Sequence, residues 1–284
     1  LGFRFLPLAA GAALAVLSLA GCNKLGLLYD YADKLVLYNV EENFDLEKAQ
    51  RIRLKEDVEA YFQWHRKAML PAYADFLTFV ADSARDGLRP DEIEAGYARY
   101  RELYRRTMEP VAEKSAALLL GLTAEQIDTW IEKQRKKNRK SRKDMSGSPQ
   151  ERLEHRGKKT IDEMEDWTGR LSKDQKDRIR TLNGSLPWNG LLALDLREKV
   201  QEQAAAMAKR RAPADSLRAY LAAYYMGEEA LKSAEFRQRY REFERRLRTL
   251  IHMIHNILTE EQKARFLQQV EKLAQEFRSR SQPE

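Results

Sequence analysis

Three short segments repeat one pattern that dictates what kind of chain this is: Leu122-Thr123-Ala124-Glu125-Gln126, Leu171-Ser172-Lys173-Asp174-Gln175 and Leu258-Thr259-Glu260-Glu261-Gln262. Each is a capping box. The hydroxyl of Thr123, Ser172 or Thr259 can accept from the third helical N–H, and Gln126, Gln175 or Gln262 can reach back to the N–H of the cap residue. An acid at the second helical position complements the positive end of the helix dipole. Ser148-Pro149 followed by Glu151 starts a helix by the same logic. With 13 Gly and 8 Pro in 284 residues and charged side chains at 33%, the chain between the boxes favours helix throughout.

The apolar periodicity agrees. Leu27, Tyr31, Leu35 and Tyr38 follow at helical spacing, and Asp45 is the expected cap of the next helix. Leu54, Val58, Tyr61, Phe62, His65 and Met69 form one stripe. Pro71 predicts that this helix ends at Leu70, because the residue before a proline is pushed out of the helical region. Ile93, Tyr97, Tyr100, Tyr104, Met108 and Val111 read as the core stripe of a helix that Pro110 kinks or breaks. Phe236, Tyr240, Phe243, Leu247, Leu250, Ile254 and Ile257 alternate by four and three over three heptads. That stripe could pair antiparallel with Phe266, Val270, Leu273 and Phe277 after the third box. The fold class expected is all-α: one elongated multi-helix bundle, or two helical subdomains over 22–143 and 149–284 joined by a linker at 144–148.

One segment breaks the pattern. Between Glu132 and Asp144 no side chain is apolar, and Lys133, Arg135, Lys136, Lys137, Arg139, Lys140, Arg142 and Lys143 place eight cations in eleven positions. A helix without an apolar face has nothing to pack. It is expected to project into solvent or fray, either as a surface for anionic lipid or as a solvated spur.

The beginning of the chain speaks to location. From Phe5 to Gly21 there is no charge, Arg4 supplies the positive end, and Leu19-Ala20-Gly21-Cys22 closes the run. This is the layout of a secretory signal, and its ending resembles a bacterial lipobox. Residues 1–21 are thus expected to be removed, with Cys22, the single cysteine, as the lipid attachment point. Cleavage would leave a formal charge of +6 in place of +7. The residue after it is Asn23, which by the enteric sorting rule points to the outer membrane, periplasmic face. Export takes most of the weight from a nucleic-acid reading of the basic balance. The near absence of a tether after Cys22 places the first helix close to the membrane, where Tyr29, Tyr31 and Tyr38 could rest among headgroups or could equally be core residues.

Two resemblances add to this. Tyr29-Asp30-Tyr31-Ala32-Asp33-Lys34-Leu35, Phe44-Asp45-Leu46 with Gln50, and Trp64-His65-Arg66 with Leu70-Pro71-Ala72-Tyr73 resemble a family of proteobacterial lipoproteins classed as a domain of unknown function. That implies an all-helical envelope lipoprotein and brings no active site. The three boxes are similar to the LTxxQ signature of the Spy and CpxP group of periplasmic chaperones, which implies ATP-independent binding of unfolded envelope proteins.

Nothing in the sequence points to catalysis. His252 and His255 are spaced i, i+3 but lack the further ligands of a metal site. No nucleophile elbow or glycine-rich phosphate loop occurs. The expectation is a protein that is not an enzyme and needs no metal or cofactor. Its partners would be the membrane and unfolded envelope proteins or anionic lipid. The alternative is a scaffold held on the anionic membrane surface.

Overall fold

The computed structural model describes residues 29–282 and is all-α over them, a multi-helix bundle. The lipobox and Cys22 lie outside the described residues. Helix α1 (Ala32–Asn43) is followed by α2 (Lys48–Trp64), a π turn (His65–Met69), α3 (Leu70–Arg85) and α4 (Pro90–Leu120). Then come α5 (Ala124–Asp144), α6 (Pro149–Thr168), α7 (Lys173–Gly184), α8 (Gly190–Lys209), α9 (Ala214–Tyr225), α10 (Ala234–Ile257) and α11 (Glu260–Ser281). A loop at 145–148 separates α5 from α6, yet the core runs across it: α11 packs along α3, α9 and α10 along α4, and α8 along α5. The main core joins Phe44, Met69, Leu70 and Tyr73 to Leu217, Leu273 and Phe277. A smaller one gathers Ile161, Leu171, Ile179 and Leu258.

Several local expectations are corrected. Pro71 does not end a helix. Leu70 keeps helical angles (φ −60°, ψ −44°), and its N–H reaches five residues back to the His65 carbonyl. The π turn opens the ladder where a proline ring would clash with the carbonyl four residues earlier, so Lys48–Arg85 continues as one helical run. Pro110 likewise lies within an unbroken α4. The cap of α2 is Glu47, not Asp45.

On α1 the buried face is Ala32, Val36 and Val40. Tyr31, Leu35 and Tyr38 point outward, 50%, 44% and 67% exposed, so the larger apolar side chains are the outer stripe. Small and β-branched residues let α1 lie close against α2. The heptad stripe of α10 packs against α4 and α7, while α11 uses its own stripe on α3. In the tyrosine stripe of α4, Ile93, Met108 and Val111 are buried but Tyr100 is 41% exposed. The Tyr97 hydroxyl donates to Glu244 of α10.

Candidate functional site

The three predicted boxes are helix starts. Thr123, Ser172 and Thr259 each accept from the backbone N–H of Gln126, Gln175 and Gln262 at 3.2 Å. Each of those glutamines accepts in return from its own cap N–H at 2.9 Å. A fourth start, Leu46-Glu47-Lys48-Ala49-Gln50, belongs to the same set: the Glu47 N–H donates to Gln50 Oε1 at 2.8 Å. Sequence reasoning missed it because a glutamate stands at the cap. The signal was there, in the leucine before the cap and the glutamine three residues after it.

The glutamines do more than cap, because they pair. Gln126 donates to Gln50 at 2.8 Å and Gln50 donates back at 3.0 Å. Gln175 donates to Gln262 at 2.7 Å and Gln262 donates back at 3.1 Å. Each amide spends its second N–H on the carbonyl two residues before its partner's cap. Gln50 reaches Gly121, Gln126 reaches Asp45, Gln175 reaches Ile257 and Gln262 reaches Arg170, at 2.6–2.9 Å. Two donors and two acceptor sites are thereby used in full on every one of the four side chains. Glutamate could keep the cap but not donate, which is the physical reason for glutamine here. Leu46, Leu122, Leu171 and Leu258, all buried, hold the turns down. The result is two equivalent clasps, one tying the start of α2 to α5 and the other the start of α7 to α11.

Beside the first clasp lies a groove of about 280 Å³ between α1, α2 and α4. Val36, Val40, Leu54, Val58, Val111 and Leu118 line it, with Arg53, Asp57 and Lys114 also at its wall. Lys114 bonds Asp57 across it at 2.7 Å, and both are partly exposed. A second, more polar pocket of about 240 Å³ lies between the C-terminal end of α7 and the middle of α10, away from the second clasp, with Arg245 and Arg246 in its wall.

The basic run is not a fraying spur. Gln134, fully buried, donates to Asn43 of α1 at 2.9 Å and accepts from Gln201 of α8 at 3.3 Å. Asn138 donates to Gln201 at 2.7 Å. This amide ladder gives α5 a packing face that hydropathy does not register. Four of the cations support it: Lys133 on Asp45, Arg135 on Glu202, Lys137 on Asn43, and Arg142 on Asp195 and Glu198. Lys136, Arg139, Lys140 and Lys143 are exposed and make no ion pair among the described residues.

The histidines do not assemble a metal centre, and no group of three or more His, Cys, Asp or Glu is placed to hold one among the described residues. His252 Nδ1 lies 3.0 Å from the Leu88 carbonyl. His65, fully buried at the π turn, sits 3.0 Å from the Tyr29 hydroxyl and 3.4 Å from that of Tyr73. Tyr73 in turn bonds Thr107 at 2.5 Å, and Tyr61 donates to the Thr107 carbonyl at 3.3 Å. Burial holds the His65 ring down to about pKa 4 and pushes the Tyr29 hydroxyl up to about 12. The tyrosines therefore stay protonated and the imidazole neutral at pH 7.

No helix among the described residues is long and apolar enough to cross a membrane. No curated protein and no solved structure matches the chain. A family profile does match, over residues 42–237, a span that takes in the first clasp, the α2 and α4 walls of the groove and the amide ladder; the chain belongs to the family of unknown function DUF6279.

Proposed function

We propose that this chain is a lipoprotein, anchored through Cys22 on the periplasmic face of the outer membrane, with a non-catalytic, chaperone-like binding role. In this reading the groove beside the first clasp takes single apolar side chains of envelope proteins that have lost their fold, while the client backbone stays outside in water. The observation that carries it is the groove itself: a buried aliphatic floor beneath a mouth where Ala49, Arg53, Lys114 and Ala117 are exposed, walled by helices that a clasp holds at one end. The likeness of the boxes to those of periplasmic chaperones supports the same role. The test is light scattering of an aggregating client. Ala49 and Ala117 stand exposed on opposite walls, so Ala49→Trp with Ala117→Trp fills the groove without entering the core. The wild type should suppress aggregation near equimolar ratio, and the filled variant should lose most of that while melting normally. Equal protection by both would remove the groove from the reading.

A second reading, a scaffold resting on the membrane surface, is favoured by the outward Tyr31, Leu35 and Tyr38 and by the four unpaired cations of α5. Changing Lys136, Arg139, Lys140 and Lys143 to Glu should leave the melting temperature nearly unchanged. It should weaken binding to anionic vesicles, since each basic side chain near such a surface contributes about 1 kcal/mol. Cys22→Ser should abolish acyl labelling in cells. Unchanged vesicle binding, or labelling that survives, would sink the surface and anchor readings respectively.

A further inference from the structure

We propose that the groove between α1, α2 and α4 binds one medium-chain free fatty acid, its alkyl chain along the aliphatic floor and its carboxylate at Arg53. This rests on taking the groove as a ligand site, and not on the ligand being a protein.

The argument begins with what the walls lack. Apart from Arg53, the polar side chains around the floor are already engaged. The Gln50 amide makes its four bonds inside the clasp. Ser115 accepts from the Tyr225 hydroxyl at 3.3 Å, and the Tyr61 hydroxyl donates to the Thr107 carbonyl. The walls are helices, whose backbone groups are satisfied within themselves. An extended peptide would bring a donor and an acceptor at every residue and find no partner for them, at a cost of about 1–3 kcal/mol each. A helical peptide carries its own bonds but is about 10–12 Å across. The groove, at about 280 Å³, is less than twice the ~150 Å³ that holds a benzene. A single alkyl chain of about eight carbons meets both limits, since it is narrow, fills less than two benzene volumes and has no polar atom before its head. A diacyl lipid would leave its second chain in water.

The rim then selects the head. Lys114 is neutralised by Asp57, while Arg53 lies exposed and makes no ion pair among the described residues, so the mouth carries a net positive charge. A planar guanidinium pairs a carboxylate through two parallel hydrogen bonds.

The test compares octanoate with 1-octanol, which has the same chain and no charge, by calorimetry on the full chain below the aggregation limit of either. Octanoate should bind saturably at one per chain. Ala49→Trp with Ala117→Trp should weaken both probes at least about tenfold. Arg53→Gln should weaken octanoate about tenfold, as loss of one charge-assisted contact does, and leave the alcohol within about twofold. Absence of saturable octanoate binding, indifference to the tryptophan pair, or equal losses of acid and alcohol in the Arg53→Gln variant would each overturn the proposal. The outcome is separable from the chaperone reading. Octanoate binding without protection of a client keeps this inference and ends that reading. Client protection lost in the tryptophan pair, without octanoate binding, does the reverse.

Discussion

Acidification from pH 6.5 to 4 should cost the fold about 3 kcal/mol through one side chain, His65. The ring is fully buried between Tyr29, Tyr61 and Tyr73, and burial lowers its pKa from the ordinary 6.5 to about 4. Because the folded value lies below the unfolded one, the unfolded chain takes up the proton first as pH falls. The neutral-histidine fold is therefore fully stable above about pH 6.5 and loses ground down to about pH 4, where the folded ring also protonates and the loss levels off. A difference of this size, at 1.36 kcal/mol per unit, amounts to about 3 kcal/mol. Every acidic group contributes to a raw pH profile, so the measurement is a comparison. Urea midpoints of wild type and His65→Gln would be followed across pH 7 to 4. The amide keeps partners for the Tyr29 and Tyr73 hydroxyls but cannot charge. The variant should begin less stable and lose about 3 kcal/mol less over the window. Parallel profiles would show that His65 does not titrate on unfolding.

Comparable losses should follow from breaking a clasp. Gln175→Met removes both N–H donors and the acceptor that caps Ser172, leaving Gln262 and the Ile257 carbonyl short of partners in a part-buried site. Four hydrogen bonds at about 0.5–1.5 kcal/mol each put the loss at about 2–6 kcal/mol. Ser172→Ala, which touches only the cap, should cost about 0.5–2 kcal/mol. Gln262→Met should cost about as much as Gln175→Met, and the double variant well under the sum, because each change already disables the same pair. Chemical denaturation of the four proteins closes the cycle. Additive losses, within about 0.5 kcal/mol, would mean that the two amides act only as separate caps.

These clasps also show where sequence reading worked and where it stopped. The helix starts at Thr123, Ser148, Ser172 and Thr259 were legible because a cap is a local event, settled within four residues. That two boxes far apart in sequence should grip one another was not, since nothing in one box names its partner. Which face of α1 turns inward was left open by the sequence, because its apolar side chains fall on both sides; close packing on α2 selected Ala32, Val36 and Val40. The basic run was misread. Hydropathy counts Gln134 and Asn138 as polar and therefore outside, but a buried amide is stable wherever another amide meets it, as Asn43 and Gln201 do. At Pro71 the rule for the residue before a proline assumed an α-helix, and the π turn supplied another ladder. The groove depends on the spacing of three helices, which no stretch of sequence reports.

The clasps bear on how the chain gets to this state. They close loops of 76 and 87 residues that do not overlap, so neither closure waits for the other. Their entropic costs differ by only about 0.1 kcal/mol, which gives neither precedence. What joins the loops is α11, which begins at the second clasp and lies along α3, inside the first loop, covering Tyr73 and Ala74 with Leu273, Ala274 and Phe277. A chain synthesised from its N-terminus must therefore hold the α3 surface uncovered until some two hundred further residues have arrived. Until then the first half of this protein is itself a polypeptide in need of shelter.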